Sequence, residues 1–348
     1  MGNKKTVKEY KIGDKSIDSL ISKFAKEYSF PETERLLREI LTTVVKLGRE
    51  SSDRGDLKLV NNVLKELRYS FKVFAPYRSV KKVIIFGSAR SKKSSLEYKL
   101  AEKFARKITA RGFMVVTGGG GGIMEAGNKG AGQGKEFALN IRLPFEQRLN
   151  PYITEKDKVI NFKYFFTRKL AFVKETDATV LFPGGFGTND EGFEMLTLIQ
   201  TGKSKPRPVL LIEPERSTYW KTWKRFLEKE LVKNGFIRKD DLDLFRIIKN
   251  VDEAVKEIED FYRVYHSIRY VSDLTVLRLN RELSSETLRL INEKFKDILR
   301  SGKIRPALPT DKELREGEFP ELPRLIMDFN QHDYARLCYL IRIINRQD

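Results

Sequence analysis

Three glycine-rich turns hold the residue types best suited to chemistry. They are Gly87, Ser88 and Arg90 in FGSAR, the run TGGGGGIMEAGNKGAG at 117–132 with Gly119, Gly120 and Gly121, and PGGFGTNDEGFE at 183–194 with Gly184, Gly185, Phe186, Gly187 and Thr188. Each follows an apolar, β-rich run and precedes an amphipathic stretch, the order of a strand passing into a helix. Glycine lets the backbone approach a ligand closely, and the helix that follows directs free amides and a positive dipole end outward. That is a cradle for a phosphate. No segment satisfies G-x-G-x-x-G or G-x-x-x-x-G-K-[ST], so dinucleotide-dehydrogenase and P-loop readings lose their main support.

Charged residues lie beside these turns. Thr188 to Glu191 has the T-x-x-E spacing of a capping box, which predicts that Thr188 caps a helix and that Glu191 sits in its first turn beside Asp190. The dipole there favours an ionised carboxylate, so Glu191 is expected to act as a base or an electrostatic stabiliser rather than as a proton donor. Arg168 and Lys169 interrupt FFTRKLAF, whose Phe165, Phe166, Leu170, Phe172 and Val173 read as buried. Two placements fit Arg168: a snorkelling surface residue, or a guanidinium at the pocket rim suited to bidentate contact with an oxygen-rich substrate. Glu125, in GGIMEAG, reads either as a neighbour of the bound ligand or as an ordinary first-turn glutamate. Arg142, Glu146, Gln147 and Asn150 are weaker candidates for a proton donor.

The elements that must position these residues follow from the rhythm of the chain. Residues 17–72 repeat apolar positions at helical spacing, as in Leu36, Leu37, Ile40, Leu41, Val44 and Val45, and read as a packing or oligomerisation layer. From residue 81, β-rich runs alternate with amphipathic helices: VIIFGS, FMVVTGG, FALNIRLP, VINF, ATVLFP, PVLLIE and LFRII. Alternation of this kind predicts an α/β fold, a Rossmann-like doubly wound parallel sheet with ligands outside the carboxyl ends of its strands. RYVSDLTVLRLN as one strand, SSETLRLINEKFKDIL as a helix, IRPAL and RLIMDFN as strands, and DYARLCYLIRII as a helix give a small C-terminal α+β region. The expected domains are a helical region at 1–78, the nucleotide-binding catalytic domain at 79–262 and the α+β domain at 263–348.

Composition narrows the classes. The 348 residues include one cysteine and two histidines, which leaves no disulfide framework within the chain and no cysteine- or histidine-rich metal site. Neither metal nor cofactor is expected. Cys338 falls in an apolar helix and reads as a buried thiol. No apolar run nears the ~18 residues needed to span a bilayer, and no secretory segment opens the chain, so a reducing cytoplasm is the expected location and a membrane partner is not expected. The net charge of +19 divides into +6 over residues 1–80, +14 over 81–250 and −1 over 251–348, which places the positive field around the turns and suits an anionic ligand. The charges are dispersed, without an arginine-rich tail or a nucleic-acid motif, so a nucleic-acid partner is not expected.

Taken together, FGSAR, TGGGGGIMEAGNKGA, FFTRKLAF and PGGFGTNDE resemble the LOG family, formerly labelled "lysine decarboxylase-like". Its hallmark P-G-G-x-G-T-x-x-E falls on Pro183, Gly184, Gly185, Phe186, Gly187, Thr188 and Glu191. The resemblance covers roughly residues 81–235, and LPFEQRLNPYI looks like the larger bacterial members that act on nucleoside 5′-monophosphates. It implies a phosphoribohydrolase that cleaves the N-glycosidic bond of a nucleoside monophosphate, such as AMP, GMP or a pyrimidine monophosphate, to free base and ribose 5-phosphate. The family's catalytic roles fall on Arg168 and Glu191, and its phosphate site on Gly184–Thr188. It also implies a homo-oligomer, dimeric or higher. Two departures stand out: Asp190 where relatives carry the first of two glutamates, and Gly121 where many carry proline or serine. A non-catalytic nucleotide sensor or carrier on the same scaffold is the alternative.

Overall fold

The computed structural model describes residues 10–50, 53–143, 148–271, 273–310, 313–314, 317 and 319–347, and the chain divides into two compact units, residues 1–68 and 69–348. The first unit carries α1 (Lys15–Tyr28), α2 (Glu34–Glu50) and most of α3 (Arg54–Phe74). Asp14 starts α1 as its N-cap, accepting from the amides of Ser16 and Ile17.

The second unit is built on seven parallel strands: β1 (Lys82–Phe86), β2 (Met114–Thr117), β3 (Glu136–Ile141), β4 (Val159–Phe162), β5 (Ala178–Leu181), β6 (Val209–Ile212) and β7 (Arg246–Ile248). Their order is β4-β3-β2-β1-β5-β6-β7, so the direction of winding reverses between β1 and β5. This is the doubly wound, Rossmann-like α/β sheet that the alternating runs predict, with all seven strands in place. The five inner strands are buried on both faces, as parallel sheets require, while the edge strands β4 and β7 are partly exposed. Val83 and Ile85 face one layer with α4 (Leu96–Ala110), α5 (Ile123–Ala131) and α9 (Val251–Phe261). Ile84 and Phe86 face the other, with α6 (Phe165–Glu175), α7 (Phe186–Gln200) and Trp220 of α8 (Tyr219–Phe226).

The C-terminal region differs from its predicted element order. RYVSDLTVLRLN is two strands, β8 (Tyr265–Val271) and β9 (Leu274–Leu279), paired antiparallel as a hairpin. Asp273 lies in a turn directly before β9, a polar break that the apolar flanks obscured in the sequence. With β10 (Leu299–Ala307) and β11 (Arg324–Phe329) they form a four-stranded sheet in the order β10-β11-β9-β8, packed on α10 (Ser285–Lys294) and a last helix, α11 (Tyr334–Gln347). One side of α11 joins this second core through Leu337, Leu340, Ile341 and Ile344. Its other side, Ala335 and Cys338, joins the core beneath the parallel sheet. Burial pushes the Cys338 thiol up to about 12, which keeps it protonated and inert. Among the described residues, no helix is long and apolar enough to cross a membrane.

Candidate functional site

The reversal between β1 and β5 brings the first and third glycine turns together. Ser88 N donates to Pro183 O at 3.1 Å, and Ile123 N, at the start of α5, donates to Ser88 O at 3.0 Å. Two glycines make this crossing feasible. A Cβ on Gly184 would lie 2.2 Å from Thr188 Oγ1 and 2.9 Å from Ser88 N. Gly122 holds φ +62°, and a Cβ there would lie 2.3 Å from Ser88 O.

Above this crossing opens a cleft of about 910 Å³, at the carboxyl edge of the sheet. Gly87, Ser88, Ala89 and Arg90 line one side, Gly184–Glu191 the other, and Gly118, Met124, Ile141, Leu143, Phe165 and Arg168 complete it. The sequence brings Gly87, Ser88, Gly184, Gly185, Phe186, Gly187, Thr188, Arg168, Asp190 and Glu191 to this cleft as expected candidates, and all ten line it.

Arg168 faces inward rather than snorkelling. Its Nε donates to Leu139 O at 2.8 Å, and the guanidinium lies over the Phe172 ring, 5.0 Å from the centroid. A Cβ on Gly118 would come within 2.3 Å of its Nη2, so Gly118 makes room for it. Burial lowers its pKa to about 10, opposed by the carboxylate of Glu191, and it stays cationic at neutral pH. The aromatic stretch around it is less buried than predicted. Phe165 and Phe166 are 53% exposed and Leu170 48%, because α6 turns that side to solvent and to the cleft.

Glu191 departs from its expected state. Helix α7 begins at Phe186 with Gly185 as N-cap and no side-chain cap, so Thr188 lies within the first turn and does not cap it. Glu191 therefore falls in the second turn, beyond most of the dipole's reach. Burial dominates instead and raises its carboxyl to about 7, while Lys169 and Arg168 pull it down. The group exchanges its proton near neutrality. The first amides of α7 have no side-chain cap, and the residues that carry them line the cleft.

Lys169 does not line the cleft and serves the carboxylates behind it. Its Nζ is 2.8 Å from Asp190 Oδ2, 2.9 Å from Glu194 Oε2 and 3.8 Å from Glu191 Oε2. Burial opposes its charge, but the hydrogen bonds to Asp190 and Glu194 outweigh it and hold its pKa above the ordinary value. The second glycine run also differs from expectation, since Gly119, Gly120 and Gly121 are not among the cleft-lining residues. Gly119 and Gly120 are tied down instead: Asn150 Nδ2 donates to Gly119 O at 3.1 Å, Gly120 O at 3.0 Å and Asn128 Oδ1 at 3.0 Å. Glu125 is likewise off the cleft, accepting from Tyr98 Oη at 3.1 Å and pairing with Lys93 at 2.8 Å. Arg142 is exposed off the cleft, and Glu146 and Gln147 lie outside the described residues.

Sequence reasoning missed two supports. Tyr219 Oη donates to Gly184 O at 2.6 Å, and Asn189 Nδ2 donates to Tyr219 Oη and to Gly185 O, both at 3.0 Å, which pins the third turn from α8. Nothing local in YWKTWKRF signals this. Arg90, named in the sequence with the first turn but given no role there, lines the cleft together with Arg168.

Residues 121–258 match the family described as "Possible lysine decarboxylase", and the curated relatives found over the same fold carry LOG names. Over these residues the α/β domain is similar to the LOG family. "Cytokinin riboside 5′-monophosphate phosphoribohydrolase LOG3" of Arabidopsis thaliana is 26% identical over 186 residues, 52% of this chain and 83% of that protein. "Cytokinin riboside 5′-monophosphate phosphoribohydrolase LOG1", also of Arabidopsis thaliana, is 33% identical over 94 residues, 27% of this chain and 42% of that protein. Among solved structures, the molybdenum cofactor binding protein from the phototrophic bacterium Rippkaea orientalis aligns at 18% identity with a TM-score of 0.37, covering 52% of this chain and 94% of that chain. The LOG hallmark thus lies on the turn from β5 into α7, at the floor of the cleft.

Proposed function

We propose that the cleft hydrolyses the N-glycosidic bond of a nucleoside 5′-monophosphate, releasing free nucleobase and ribose 5-phosphate. The observation that carries this reading is the convergence on one cleft of Arg168, a carboxyl group poised near neutrality at Glu191, and the uncapped start of α7. The names of the LOG relatives, whose substrates are riboside 5′-monophosphates, support the same class.

The chemistry follows from the arrangement. The first amides of α7 and the Arg90 side chain receive the 5′-phosphate, a remote handle whose binding energy positions the ribose. Arg168 holds sugar oxygens through its terminal nitrogens, since Nε is engaged with Leu139 O. Cleaving the C1′–N bond sends its electron pair to the base, which takes up a proton from solvent, and leaves positive charge on the ribose, as in other glycosidic hydrolyses. Ionised Glu191 stabilises that charge and takes a proton from the water whose oxygen bonds to C1′. Among the described residues the cleft-lining carboxyl groups are Asp190 and Glu191; Asp190 lies 2.8 Å from the Lys169 ammonium, and Glu191 is taken as the proton acceptor. The working assembly in this reading is a cytoplasmic homo-oligomer.

The test is chromatography of bases released from a panel of nucleoside monophosphates by the wild type, Glu191→Ala and Arg168→Ala. The expected result is release by the wild type and a loss of about 100-fold or more in each variant. Near-normal turnover in both variants overturns the residue roles. Tight nucleotide binding by the wild type with no base released replaces the enzyme with a sensor or carrier.

A further inference from the structure

Two arginines face each other inside the C-terminal sheet. Arg278 on β9 and Arg324 on β11 are directly opposite in the antiparallel register, and both side chains are buried. Like charges placed in this way repel. The charge that answers them comes from outside the sheet: Glu313, in the connection between β10 and β11, is fully buried, with Oε1 2.9 Å from Arg278 Nη2, 3.0 Å from Arg278 Nε and 3.6 Å from Arg324 Nη2. Thr310 holds the other carboxylate oxygen, its amide and its hydroxyl each donating to Oε2 at 3.1 Å.

This carboxylate serves Arg278 and leaves Arg324 short. Arg324 Nη2 donates to Phe319 O at 2.9 Å, while Nε and Nη1 are buried with no acceptor among the described residues. Burial takes away the water that would otherwise pair with them, so a guanidinium in such a place normally has its N–H groups engaged. The connection that carries Glu313 is anchored by charge more than by apolar packing, since Leu308, Leu314 and Phe319 remain 86%, 54% and 44% exposed.

We infer that Arg278 and Arg324 form a binding site for a phosphate group, in which the Glu313 carboxylate stands as an internal, exchangeable occupant. A phosphate carries up to two charges and more acceptor oxygens than a carboxylate, so it matches two guanidiniums and supplies acceptors for the nitrogens of Arg324 that Glu313 does not reach. The surroundings favour an anion as well. The His266 ring packs on Phe319 with centroids 4.6 Å apart, and burial together with the cations Lys81, Arg278 and Lys205, opposed by Glu321, holds the His266 pKa below its ordinary value. The site is built on the four-stranded sheet and shares no residue with the cleft, so it does not rest on the reaction assigned there.

Equilibrium dialysis of the full chain against radiolabelled inorganic phosphate tests it, with the cleft identical in every variant compared. Glu313→Gln removes the internal occupant and should bind phosphate, at one site per chain, at least ~10-fold more tightly than the wild type does there. Adding Arg324→Gln should abolish that site. Displacement of the label from it by AMP assigns the phosphoryl group of a nucleotide as the ligand, and label retained against AMP assigns the free ion. A salt bridge with a purely structural role would leave phosphate binding the same in the wild type, Glu313→Gln and the double variant, which overturns the site. Crystals of the wild type soaked in sodium tungstate, a phosphate analogue, supply an arm that needs no substituted chain to fold. The expected result is tungstate between Arg278 and Arg324 with Glu313 displaced; an intact Arg278–Glu313 pair with no tungstate beside it overturns the site.

Discussion

At Glu191, burial favours the protonated form while Lys169 and Arg168 favour the charged one, and burial prevails to give a pKa of about 7. A carboxyl raised in this way stabilises the folded chain when protonated. That contribution is fully present below the ordinary value of 4.5 and is lost as pH rises through about 7. Glu191→Gln keeps the shape without the charge, so its stability relative to wild type should increase by up to about 3 kcal/mol at pH 8 and hardly at all at pH 4, read from urea unfolding. The activity runs the other way. Wild-type kcat/KM for base release should rise as pH increases through about 7 and then level, and Lys169→Met should move that inflection upward by removing the cation 3.8 Å away. A profile that is flat between pH 5 and 8 would remove Glu191 from the role of base.

At the scale of elements, the turn into α7 is the part of the cleft that the proposed function asks to hold the phosphate. Some helix starts use a side chain to satisfy their first amides, as Ser95 does for α4 and Asn250 for α9, whereas α5, α6 and α8 start without one. Helix α7 uses none, and its turn is held from behind by Tyr219 and Asn189 while its amides stay open. Tyr219→Phe removes the 2.6 Å bond to Gly184 O without changing the ring. The expected outcome in steady-state kinetics is KM raised about fivefold with kcat little changed, in keeping with the loss of one hydrogen bond. Gly184→Ala is expected to be far more severe and to abolish nucleotide binding, since its Cβ would overlap Thr188 Oγ1 and the backbone of Ser88, which cannot move aside cheaply.

At the scale of the whole molecule, the strand order does the assembling. Residues separated by up to a hundred positions, Ser88 on one turn and Glu191 on another, line one cleft because β1 and β5 are adjacent at the reversal. The cleft lining combines glycine turns with the apolar side chains of Ile141, Leu143 and Phe165, a mixture that suits a ligand carrying both a phosphate and a heterocycle. In the proposed reaction, binding energy from the phosphate is spent on orienting the sugar. Nucleosides lacking the 5′-phosphate should show kcat/KM lower by on the order of 100-fold or more, measured beside their monophosphates. Equal turnover of the two would move the phosphate out of the mechanism.

Sequence alone determined the seven strands, the α/β class, the positions of the glycine turns and the burial of Cys338. These depend on local periodicity and on glycine between strand and helix, both written in consecutive residues. Tertiary structure decided the rest of the site. Whether Arg168 snorkels or faces inward depends on Leu139 O and on the space above Gly118, both contributed by other strands. Which glycines face the cleft depends on Asn150, whose amide draws Gly119 and Gly120 into a buried network. The ionisation of Glu191 could not be read from a capping spacing, because desolvation is a sum over everything packed around a group, and T-x-x-E specifies only the group's neighbours along the helix.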